Sequence, residues 1–119
     1  MWIVADAAVA LIALLHLYFL VLEMFLWTRP FGRRTFGLTQ EFAEASKTLA
    51  ANQGLYNGFL AAGLVWGLAL GGAGDAIRIF FLGCVIVAGL FGALTVSRKI
   101  FWAQALPGIV VLALVLFAR

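Results

Sequence analysis

Between Lys47 and Asp75 the chain reads Thr-Leu-Ala-Ala-Asn-Gln-Gly-Leu-Tyr-Asn-Gly-Phe-Leu-Ala-Ala-Gly-Leu-Val-Trp-Gly-Leu-Ala-Leu-Gly-Gly-Ala-Gly, residues 48–74, with no charge for 27 residues. Two later stretches behave alike: residues 79–97 and 100–118 are each uncharged over 19 residues. The first apolar stretch runs from Trp2 to Trp27, broken only by Asp6, His16 and Glu23. A helix needs about 20 apolar residues to cross about 30 Å of hydrocarbon. The pattern therefore predicts an all-α, four-helix transmembrane bundle, with helices near residues 3–28, 50–71, 77–97 and 100–118. Strands of a membrane barrel would alternate polar and apolar residues, and these do not.

Composition agrees. Of the 119 residues, 66% are hydrophobic and 11% charged, with a mean hydropathy of +1.12. Soluble domains sit nearer about 45–50% and about 25%, and a soluble fold of this length has too little interior to hide the difference. The length fits a single transmembrane domain over residues 1–119. One cysteine, Cys84, excludes a disulfide scaffold. The first span is not expected to be a cleaved signal, because it lacks a basic start, carries Asp6 and is longer than the usual apolar core of such signals.

Residues 29–49 form the long connection. Pro30 and Gly32 are expected to stop the first helix, and Thr39 through Lys47 to be helical, extending the second helix or lying along the bilayer. Charge sets the orientation. Arg29, Arg33, Arg34, Lys47, Arg98 and Lys99 fall on one side, Arg78 and Arg119 on the other. The positive-inside rule then puts both termini outside and the basic connections in the cytoplasm, for a multi-pass protein of the inner (plasma) membrane. Anionic lipid headgroups account for the net charge of +3, and no nucleic acid is implied.

Polar residues in hydrocarbon need a reason, since ionisable groups cost about 2.5–3.5 kcal/mol each on insertion scales. His16 lies mid-helix, and Glu23 seven residues on, about 10 Å closer to the cytoplasm. That separation forbids a shared metal ion but allows a common elongated cavity. Asn52, Gln53, Tyr56 and Asn57 fall at i, i+1, i+4 and i+5 and predict one polar stripe. Gly63, Gly67 and Gly71 continue it as a smooth line, while Gly54 and Gly58 lie roughly opposite and offer a face for a second copy. The fourth helix adds Gln104, and Pro107 frees a carbonyl near Ala103. The expected ligand- or proton-binding set is therefore His16, Glu23, Asn52, Gln53, Tyr56, Asn57 and Gln104, gathered in the inner half of the bilayer. Asp6, near a terminus, can reach water and receives no role. No metal site is expected, because one His and one Cys do not make one, and no cofactor is specified.

The run Ala51-Asn52-Gln53-Gly54-Leu55-Tyr56-Asn57-Gly58-Phe59-Leu60-Ala61-Ala62-Gly63 resembles the hallmark of a small prokaryotic membrane family, the domain of unknown function 1304. His16 with Glu23 to Trp27, Phe81 to Thr95, and Gln104 with Pro107 match as well, so the resemblance covers nearly the entire chain. It implies a four-helix membrane protein and supplies no activity.

Three functions remain. A carboxylate reachable from water can exchange a proton for a substrate, which is transport; four helices enclose little space, so transport predicts a homo-oligomer. The same residues can instead orient a small molecule, a lipid or a quinone-like ligand, bound or modified. The third is an accessory subunit of a membrane complex whose polar cluster only fixes helix packing, each hydrogen bond contributing about 1 kcal/mol. Glu23 argues against the last, because amides alone would fix the packing at lower cost.

Overall fold

The first stretch holds neither Gly nor Pro beyond its opening residue, and in a computed structural model describing residues 2–119 it forms one helix, α1 (Trp2–Met24). The sequence predicted continuation to residue 28, but the chain turns over 25–29 and a short helix follows, α2 (Pro30–Phe36). Pro30 thus starts a helix as well as ending the previous connection. Its locked φ suits a first helical turn, and Arg29 before it is extended at φ −80°, ψ 156°. Gly37, at φ 67°, closes α2 in the left-handed conformation, and Leu38 donates its N–H to the Arg33 carbonyl.

Thr39 caps the next helix by accepting from the Phe42 N–H at 3.1 Å. That helix, α3 (Gln40–Ala69), runs 30 residues, so the segment from Thr39 to Lys47 is continuous with the predicted second span. Gly71, at φ 60°, ends it, and a 3-10 turn over Gly71–Gly74 leads into α4 (Asp75–Thr95). A π-helical turn, Phe101–Ala105, then precedes α5 (Leu106–Phe117). Pro107 explains that turn: it has no N–H for the Ala103 carbonyl and its ring presses on it, so the helix widens by one residue. The Leu106 N–H accordingly reaches back five residues to Phe101. All regular structure among the described residues is helical.

The chain divides into two compact units, one of Met1–Ala13 with Ala62–Arg119 and one of Leu14–Ala61. In the former, small residues let helices approach closely. A Cβ on Gly89 would lie 2.6 Å from the Ala105 nitrogen, and one on Gly108 would lie 3.1 Å from a Val85 methyl. Leu82, Val85, Ala105, Val111 and Val115 are buried around this contact. Gly89→Ala should therefore push backbone against backbone and cost about 1–3 kcal/mol. Gly92→Ala, whose Cβ would meet only side-chain atoms of Ile100 at 3.0 Å, should cost much less. Thermal melting of both variants in one detergent checks the difference.

Outside the buried stripes many large apolar side chains are exposed. Leu11, Leu14, Phe80, Val87, Phe91 and Phe117 are all exposed. Two helical runs, Trp2–Met24 and Gly71–Thr95, are long and apolar enough to cross a membrane. The helical run Phe101–Phe117 is apolar but shorter, and α3 is diluted by Asn52, Gln53 and Asn57.

Candidate functional site

In the Leu14–Ala61 unit the end of α1 packs on α3 where α3 has no side chains. A Cβ on Gly54 would lie 2.7 Å from Met24 Cγ and 3.0 Å from Glu23 Cβ, and one on Gly58 would lie 2.8 Å from a Leu20 methyl. The face that the sequence offered to a second copy is thus filled within the chain, a correction to that expectation. The close approach sets Glu23, half-buried, beside Asn57, 5% exposed. Asn57 Nδ2 donates to Glu23 Oε1 at 2.5 Å. The ion pairs among the described residues involve Glu44, Asp6 and Asp75 as the acids, and Glu23 joins none of them.

His16 is fully buried and meets the Phe19 ring edge-on, centroids 5.2 Å apart. The other members of the predicted stripe part company with Asn57. Asn52, Gln53 and Tyr56 are exposed, and Tyr56 stacks on Phe59 at 5.7 Å. Helix geometry explains the split. At about 100° per residue, positions 52, 53, 56 and 57 cover about 140° of arc, wider than one face. Asn57 sits at the edge shared with Gly54 and Ala61, and Asn52 and Tyr56 lie away from it.

Gln104 belongs to the other unit, half-buried in the π-helical turn, a feature often found where function distorts a helix. That unit also holds a cluster the sequence did not single out. Arg78, counted only as a charge on the outer side, has a side chain 5% exposed. Its Nη1 donates to Asp6 Oδ1 at 3.5 Å and the Gly67 carbonyl at 3.3 Å; its Nη2 donates to the Gly71 carbonyl at 2.8 Å and Asp75 Oδ1 at 2.7 Å. Arg119 Nε lies 3.4 Å from Asp75 Oδ2. Asp6, given no role by the sequence, thus closes a four-partner clamp. The i,i+3 spacing of Asp75 and Arg78 was the available signal; the reach of Asp6 across 72 positions left none.

The four acceptors around Arg78 come from α1, α3, the turn after α3 and α4, so the cluster ties these segments together. Among the described residues no three His, Cys, Asp or Glu side chains gather as a metal centre would require.

The comparisons with known proteins add a family. The model described as "Protein of unknown function (DUF1304)" matches residues 10–116. The chain belongs to this family. A relative, the uncharacterized protein YpaA of Lactococcus lactis subsp. lactis (strain IL1403), is 35% identical over 107 residues, covering 88% of each chain. No solved structure matches the chain. The span shared with DUF1304 takes in Glu23, Asn57, Arg78 and Gln104 and leaves Asp6 and Arg119 outside.

Proposed function

We propose that this DUF1304 protein is an integral membrane protein of four crossing segments, with a polar site centred on Glu23 that binds or moves a small molecule, an ion or a proton. The single observation that carries the proposal is the Glu23–Asn57 pair. Glu23 is a half-buried carboxylate in one of the two helical runs long and apolar enough to cross a membrane, and its hydrogen-bond partner is a neutral amide rather than a cation. An ionisable group held that way costs free energy in hydrocarbon and marks function by default. The apolar side chains exposed around α1, α4 and α5 support a lipid environment. The basic residues beside Glu23, at Arg29, Arg33 and Arg34, support a site in the cytoplasmic half of an inner membrane with both termini outside.

Within this proposal His16 lines the same cavity, and Asn57 orients the ligand or the carboxylate. Asn52, Gln53 and Tyr56, exposed on α3, are held for a second copy or for the ligand's outer end.

An experimental structure of the purified protein in lipid tests the proposal directly. Non-protein density within hydrogen-bond reach of Glu23 and Asn57 is the expected result. A dry, fully paired cluster without cavity or density overturns it in favour of the packing role. Glu23→Gln separates the chemistries. The carboxamide still accepts from Asn57, so folding should be unchanged or slightly improved. Proton-coupled flux across proteoliposomes should vanish in this variant, whereas binding of a neutral ligand should persist.

A further inference from the structure

The short helix α2 and the turn after it line an open surface cavity of about 270 Å³, formed by Pro30, Arg33, Arg34, Gly37 and Leu38. The geometry points to a binding site for a phosphate group in this cavity, with Arg33 as its principal ligand and Arg34 as the second.

Charge is the first reason. Arg29, Arg33 and Arg34 fall within six residues, and no acid occurs between Glu23 and Glu41. None of the three joins an ion pair among the described residues, and Glu44 is paired with Lys47 at 3.3 Å.

The second reason is a missing acceptor. Arg33 Nε is buried and has no hydrogen-bond partner. Buried donors are almost always satisfied, so one left unpaired in a side chain that lines this cavity marks a guanidinium still short of an acceptor. Arginine presents its donors in a planar fork, and a tetrahedral oxyanion accepts two of them side by side. The cavity lies just under the usual range for drug-sized ligands, about 300–1,000 Å³, which suits a phosphate with little attached to it.

The third reason is that the site is held before any ligand arrives. A Cβ on Gly32 would overlap the Leu26 carbonyl, so α2 lies directly on the turn that ends α1. Phe36 packs on the Trp27 ring at 5.0 Å, and Trp27 Nε1 donates to Ser46 Oγ at 3.0 Å. Those contacts bracket α2 between the end of α1 and the start of α3, and less ordering is needed on binding.

The phosphate can come from a lipid headgroup or from a free anion, and two measurements on the full-length protein separate them. In the first, inorganic phosphate is titrated onto protein in phosphatidylcholine nanodiscs and followed by phosphorus NMR line width, with sodium chloride at equal ionic strength as control. In the second, native mass spectrometry counts phosphatidylglycerol against phosphatidylcholine retained from an equimolar mixture. Saturable broadening identifies free phosphate; phosphatidylglycerol preference alone identifies a headgroup. In whichever arm responds, Arg33→Gln should weaken binding about tenfold, the size expected for losing a charge-assisted hydrogen bond. Arg33→Lys, which keeps the charge without the fork, should fall between. Arg34→Gln, expected to weaken binding less, carries the test if Arg33→Gln fails to fold. Arg98→Gln, in the other basic connection, should change nothing. A loss of equal size in Arg98→Gln, or no response in either arm, overturns the assignment.

Discussion

Arg78→Ala should lower the unfolding free energy by about 3 kcal/mol, the low end of the range for removing one partner of a buried pair. The low end applies because Asp6 and Asp75 keep side-chain exposures of 40% and 32% and can recover some solvation once the guanidinium is gone. The carbonyl of Gly67 cannot recover as easily, since Gly67 and its bond to the arginine are buried. Arg78→Lys should restore less than half of the loss. A single ammonium reaches one or two of the four acceptors, whereas the guanidinium fork serves all of them. Reversible unfolding in mixed micelles measures both variants. A loss below about 0.5 kcal/mol for Arg78→Ala would mean that the contacts act as solvated surface pairs.

Asn57→Leu should be the next most damaging change, at about 2–3 kcal/mol. It leaves the half-buried Glu23 carboxylate without its amide donor, and an unsatisfied buried acceptor bears its full desolvation cost. Replacing both residues, Asn57→Leu with Glu23→Leu, should recover most of that loss, because the stranded group goes with its partner. The two substitutions are therefore expected to be strongly non-additive. Additive losses would show that Asn57 acts through packing alone, and would remove the pairing on which the Glu23 site rests. The double variant serves the functional question too: folded but lacking the carboxylate, it should show no proton coupling.

Helical character was legible because it rests on charge spacing and apolar runs. The uncharged stretches at 48–74, 79–97 and 100–118 each fall mainly on helix, and the expectation that Thr39 to Lys47 extends the second helix matches the unbroken α3. Local chemistry at Pro30 was read one way only. Proline suits a helix stop and a first helical turn equally, and Gly37, seven residues on, is what marks the short helix. The polar stripe on α3 failed as one face because i and i+5 are too far apart in angle. Asn57 could have been separated from Asn52 by noting that Ala50, Gly54, Asn57, Ala61 and Leu64 form their own three-four pattern, which the structure buries. Asp6 and Arg78 were invisible as partners for a different reason. Their contact depends on tertiary approach, and a single chain offers no pattern for it. The buried Nε of Arg33 is likewise a property of packing: the sequence showed a basic loop, and only the structure shows one of its donors turned away from water.

The clamp around Arg78 has a consequence for how the chain is made. Asp6, Gly67, Gly71 and Asp75 all precede Arg78 in the order of synthesis. When the arginine leaves the ribosome, every group that will accept its protons has already been built, and none belongs to α5. The most demanding charge in the protein therefore never has to wait for a later segment. Arg119 emerges after it and pairs with the second oxygen of Asp75.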